Sequence, residues 1–163
     1  MCSSDLQPSG VWEDATFGQI RYEQEHGEAL YRRSLYTFWR RIVGPTLFFD
    51  VSNRQQCSVK TGRTNTPLHA LVTMNDITYV EAARALAQRT LLSPVAKDDA
   101  ARVAEMFRRC TARVPQPAES SLLTARLAAL RTVYGQDDAA AKKLIAAGES
   151  KPDATLAPDE LAA

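Results

Sequence analysis

The sequence predicts a mainly α protein, a helical bundle of about five helices with a small β element, hairpin or short strands, in its N-terminal third. Three observations carry that prediction. From residue 66 onward, apolar residues recur at helical spacing between Thr, Asp and Pro residues placed to cap helices. The runs rich in β-branched and aromatic residues lie between residues 31 and 59. Nine of the twelve aromatic residues fall between Trp12 and Phe49, so the N-terminal third carries apolar surface out of proportion to its regular structure.

A chain of 163 residues has the size of one domain and can bury a core without disulfides or metal. Lys and Arg number 20 and Asp and Glu 19, a balance that lacks the electrostatic footprint of a nucleic-acid binder or a polybasic membrane anchor. No apolar run approaches the roughly 18 to 20 residues of a membrane span. Residues 1–6, MCSSDL, match a sequencing adapter read in one frame, which would make Cys2 non-native. Cys57 and Cys110 fit neither metal-binding C-x-x-C spacing nor a dense disulfide framework and are expected as small buried hydrophobes, with a disulfide between them left open.

Residues 7–62 read as an aromatic-rich lead-in with short strands, 63–148 as the helical core, and 149–163 as a tail cut short. Within the lead-in, residues 7–30 show no sustained period and are expected to be extended. Residues 31–43, YRRSLYTFWRRIV, suit a strand, although a short helix also fits so brief an apolar run. Gly44-Pro45 breaks it, residues 46–51 can pair with it, and Cys57 and Val59 alternate as a third short strand in a turn-rich segment.

The helices follow in order. Thr66 is placed as an N-cap with Pro67 at the first helical position, and Leu68, Leu71 and Val72 form an apolar stripe. Asp76 can cap the next helix, where Val80, Ala83, Ala87 and Leu91 share one face and Glu81, Arg84 and Gln88 another, until Ser93-Pro94 ends it. Asp98 opens a third helix with Val103, Met106, Phe107, Cys110 and Val114 in phase. A fourth is expected over residues 118–134, with Leu123, Leu127, Leu130 and Tyr134 inward and Gly135 as its C-cap residue. A fifth spans residues 137–147, and Pro158-Asp159 starts a last helix that stops before a full turn could be packed.

Signatures of common chemistries are absent from the sequence: there is no phosphate loop, no G-x-G-x-x-G, no nucleophile elbow, no H-E-x-x-H and no C-x-x-C-H haem attachment. With His26 and His69 the only histidines, a multi-histidine metal site is excluded, though a mixed site with Asp50 or Asp76 is not. His69 is expected as a partly buried packing residue and His26 in a solvated turn. Arg32-Arg33 and Arg40-Arg41 could hold a phosphate, sulfate or acidic sugar, or could pair with Glu23, Glu25 and Glu28. The candidate binding cluster comprises Asp50, Arg54, Arg63, Asn65, Arg32 and Arg33, with Asn65 and Thr66 also able to satisfy backbone donors at a helix start.

The run YRRSLYTFWRR, the D-x-x-x-R-x-x-C-x-V pattern of Asp50, Arg54, Cys57 and Val59, and the stretch RTNTPLHALVTMND at residues 63–76 followed by VEAARALA resemble one known family. It is the C-terminal domain of unknown function fifteen fifty-three, found in large planctomycete and verrucomicrobial proteins that often carry a planctomycete-type cytochrome c domain. The resemblance covers residues 7–135. It implies the C-terminal piece of a longer exported chain, periplasmic or at the cell surface. It also implies no cofactor in this piece, with any haem c held by a separate N-terminal domain.

Where the family often has Gln, this chain has His69, which argues against an essential catalytic role there. The reading that follows is a noncatalytic accessory or interaction module docked on the preceding domains of its parent. The alternative is part of an enzyme acting on complex polysaccharides, with Arg32, Arg33, Asp50, Arg63 and Asn65 lining an acidic-sugar site. A third reading, an electron-transfer partner of the cytochrome domain, rests on domain company alone.

Overall fold

The computed structural model describes residues 2–3, 10–21, 23–31, 59 and 66–163, and among these the fold is mainly α. The chain forms two compact units, Met1–Thr78 and Tyr79–Ala163. The strands expected over 31–43, 46–51 and 52–62 fall, apart from Val59, outside the described residues.

In the first unit the β element among the described residues is a two-residue parallel pair, β1 (Cys2–Ser3) against β2 (Glu23–Gln24), with Cys2 opposite Glu23. The expected extended lead-in is more regular than its sequence suggests. Helix α1 (Val11–Thr16) starts from Gly10, whose φ of 85° no other residue adopts as freely. It closes where the Phe17 and Gly18 amides both donate to the Glu13 carbonyl, with Phe17 itself left-handed at φ 52° and exposed. Six residues are too few to show a period, which is why the pattern is silent there. A 3-10 turn over Gly27–Tyr31 buries Leu30.

Helix α2 (Pro67–Asn75) begins as its sequence dictates: Thr66 is extended, its hydroxyl accepts from the His69 amide at 3.4 Å, and Pro67 occupies the first turn. Among the described residues its expected apolar stripe stands exposed. Leu68 and Leu71 are 70% and 57% exposed, Met74 is 75% exposed, and no residue of α2 is buried. Asp76 then accepts from the Thr78 amide at 2.9 Å and opens α3 (Ile77–Leu91).

The second unit holds nearly all of α3, then α4 (Asp99–Thr111), α5 (Pro117–Gln136), α6 (Asp138–Ile145) and α7 (Pro158–Ala162). Helix α5 packs against α4 and α6, and α7 lies against α5 and α6. Caps set the boundaries. Asp98 accepts from the Ala101 amide at 2.7 Å and Asp137 from the Ala140 amide at 2.9 Å. At the α4–α5 corner Glu119 accepts from the Gln116 amide at 2.8 Å and grips Arg113 in a two-pronged pair, while the Arg113 guanidinium lies 4.7 Å from the Phe107 ring centre. Ala96, Val103, Ala141, Ile145 and Leu161 are the buried apolar residues of this unit.

Three expectations are corrected here. Helix α5 runs through Gly135 to Gln136, so Gly135 is a helical residue and the break falls at Asp137, which caps α6 directly. Cys110 is an exposed free thiol and not a buried hydrophobe, because α4 buries its apolar face only near Val103, with Met106 and Phe107 half-buried. The last helix, expected to stop before it could pack, does pack: one turn suffices because Leu161 at its end is buried.

Candidate functional site

All six residues of the sequence-derived cluster, Asp50, Arg54, Arg63, Asn65, Arg32 and Arg33, lie outside the described residues, as does Cys57. His69 is half-buried on α2. Among the described residues no group of three or more His, Cys, Asp and Glu side chains is arranged to hold a metal ion. Among those residues, too, no helix is long and apolar enough to cross a membrane.

The second unit brings other residues together. The face of α3 carrying Val80, Ala83, Ala87 and Leu91 lines a cavity of about 350 Å³ with Met106 of α4, Leu127 of α5, Leu144 and Ile145 of α6, and Leu161 of α7. Thus the apolar stripe read from the sequence of α3 lines an open pocket shared with its neighbours. Arg84, Arg102, Arg131 and Glu160 supply the charged part of the lining.

Two polar networks hold these walls. In the first, Glu81 and Arg84 sit at 3% and 6% exposure, although their spacing places them on the charged face of α3. The segment after α6 covers them. Ser150 joins the pair: Arg84 Nη2 donates to the Ser150 carbonyl at 2.7 Å and to its hydroxyl at 2.6 Å. The Ser150 amide donates to Glu81 Oε1 at 2.7 Å, and the hydroxyl proton goes to the same carboxylate oxygen. One hydroxyl therefore accepts from the cation and donates to the anion, which compensates two charges that burial alone would make costly. Arg84 Nε is buried with no hydrogen-bond partner. Close approach of the covering segment requires Gly148, whose φ is 89° and where an added Cβ would lie 2.7 Å from Glu81 Cβ.

In the second network Arg131 of α5 bridges Asp99, at the start of α4, and Glu160 of α7, with 2.8 Å to Asp99 Oδ1 and 2.9 Å to Glu160 Oε2. The Arg131 guanidinium holds the Asp99 carboxyl below its ordinary range, chiefly through this hydrogen bonding, and the carboxylates in turn raise the Arg131 pKa. Arg102 is held more loosely, 3.4 Å from Asp99 Oδ1 and 3.3 Å from the Ala96 carbonyl.

Comparison with known proteins adds one finding. The model of a family described as PSD1, protein of unknown function (DUF1553), matches residues 3–127. The chain belongs to this family. Neither a curated protein nor a solved structure matches it. The PSD1 match spans all six residues of the sequence-derived cluster, together with α1 to α4 and the first half of α5. The cavity draws on both sides of its limit: α3, α4 and Leu127 come from the PSD1 region, whereas Arg131, Leu144, Ile145 and α7 follow it.

Sequence reasoning gave Glu81 and Arg84 only as part of the polar face of α3, and it did not single out Arg102, Arg131, Ser150 or Glu160. For Arg102 a local signal exists, since Asp99 precedes it by three residues on α4. Ser150 lies 69 positions from Glu81, and no pattern along the chain announces that meeting.

Proposed function

We propose that this PSD1-family chain is an accessory interaction module that docks on preceding domains of a longer, exported parent protein, in the periplasm or at the cell surface. The observation carrying this reading is the uncovered apolar face of α2. Leu68, Leu71 and Met74 stand exposed in the very stretch, residues 63–76, that bears the strongest family resemblance. Exposed apolar residues scattered singly need no explanation, but several on one nine-residue helix with no buried member make a patch suited to a partner surface. The charge balance of the chain agrees, because a docking module needs no long-range field to find a domain tethered to it.

The isolated chain is expected to bind a hydrophobic dye and to self-associate in sedimentation. Replacing Leu68, Leu71 and Met74 together by Ser should reduce both without loss of helical circular dichroism. A monodisperse monomer that leaves the dye dark would overturn the reading.

A further inference from the structure

We propose that α3 is a latched arm: the segment after α6 holds it on the second unit, and it opens away from α4 to α7 while those helices stay folded. This does not rest on what α2 binds. The residues that α3 buries carry the inference. They are Glu81, Arg84 and Thr90, all polar, whereas Val80, Ala87 and Leu91 of its apolar stripe are half-buried and Ala83 is exposed. A helix of a packed bundle buries its apolar stripe and leaves its charges in water. In α3 that order is reversed.

The packing of the helices agrees. Among the described residues α4, α5, α6 and α7 are joined by extended helix-to-helix contact, and α3 takes part in none of it. Its apolar stripe lines the open pocket instead. Close polar contacts reach α3 from residues 148–153. Ser150 engages Glu81 and Arg84, the Asp153 amide donates to Gln88 Oε1 at 3.1 Å, and Gly148 passes close against Glu81.

Release of such a latch has a compensation that loss of apolar packing lacks. A buried ion pair let out into water recovers the hydration it gave up on burial. Arg84 Nε, which is buried with no hydrogen-bond partner, gains one from the solvent. The other helices keep their packing on one another, so the opening is confined to α3 and the segment that latches it.

The test is native-state hydrogen exchange of the full chain in increasing urea, read separately for the amides of α3 and of α5. The α3 amides should open with a constant at least about tenfold larger than those of α5, and with a weaker urea dependence because less surface is exposed. Ser150→Ala should raise the α3 opening constant on the order of a hundredfold, since it removes two hydrogen bonds to charged groups. Gln88→Ala, which frees only the Asp153 amide, is the milder release and should raise it about fivefold.

Asp137→Ala removes the cap of α6, away from the latch, and separates local from global opening. It should speed α5 exchange about fivefold and leave α3 unchanged. The proposal fails if α3 and α5 open with the same constant and urea slope in the unsubstituted chain, or if Asp137→Ala speeds both alike. It fails also if neither latch variant raises the opening of α3.

Discussion

Removal of one hydroxyl tests the buried network most directly. In Ser150→Ala the carboxylate of Glu81 loses its hydroxyl donor and Arg84 Nη2 loses an acceptor at 2.6 Å, while the two backbone contacts of residue 150 persist. Each hydrogen bond to a charged group contributes about 1.5 to 3 kcal/mol. The surviving contacts keep the loss near the lower end, so the two together should cost about 3 kcal/mol, or roughly 9 °C in Tm for a chain of this size. The assay is urea denaturation followed by helical circular dichroism, read as a change in midpoint at constant slope.

Ser93→Ala is the control, since Ser93 only accepts from the Val95 amide in an exposed turn, and it should change stability by less than about 0.5 kcal/mol. Glu81→Gln should cost more than Ser150→Ala, about 3 to 5 kcal/mol, because it leaves Arg84 as an uncompensated buried cation. A loss below about 1 kcal/mol for Ser150→Ala would refute the claim that this hydroxyl compensates the buried pair.

Other expectations follow from the same geometry. Gly148→Ala meets both a left-handed backbone at φ 89° and Glu81 Cβ at 2.7 Å, and should destabilise by about 2 kcal/mol or more in the same denaturation assay. Asp98→Ala removes the cap on the Ala101 amide and should cost about 1 kcal/mol, with faster amide exchange confined to the first turn of α4. The Arg113 side chain, aided by the Gln116 amide, holds the Glu119 carboxyl down to about 2. A carboxylate with a depressed pKa stabilises the fold above its ordinary value of 4.5 and loses that contribution as pH falls toward about 2. Amide exchange in the first turn of α5 should therefore accelerate across that window, and a carbon-detected titration of Glu119 with a midpoint near 4.5 would contradict the pairing.

The sequence by itself determined where several of the helices after residue 65 begin. Thr66, Asp76, Asp98 and Asp137 each sit where a short side chain can reach an amide two or three residues on, and that requirement is local, so it is legible without a fold. It also determined the family, through contiguous motifs within residues 3–127. Only the tertiary structure decided which faces are covered. Helix α2 has the apolar stripe its spacing announces and leaves it exposed, whereas α3 buries Glu81 and Arg84.

The reason is that periodicity reports how residues are distributed around one helix, while burial depends on which segment returns to cover it. For α3 that segment is the turn at Gly148 and Ser150, which has no side chain where it must pass close and a hydroxyl where both charges need one. The cavity is beyond sequence reading for a related reason. An open pocket of this kind is set by how far five helices stand apart, and that distance is a property of their packing as a group and not of any one stripe.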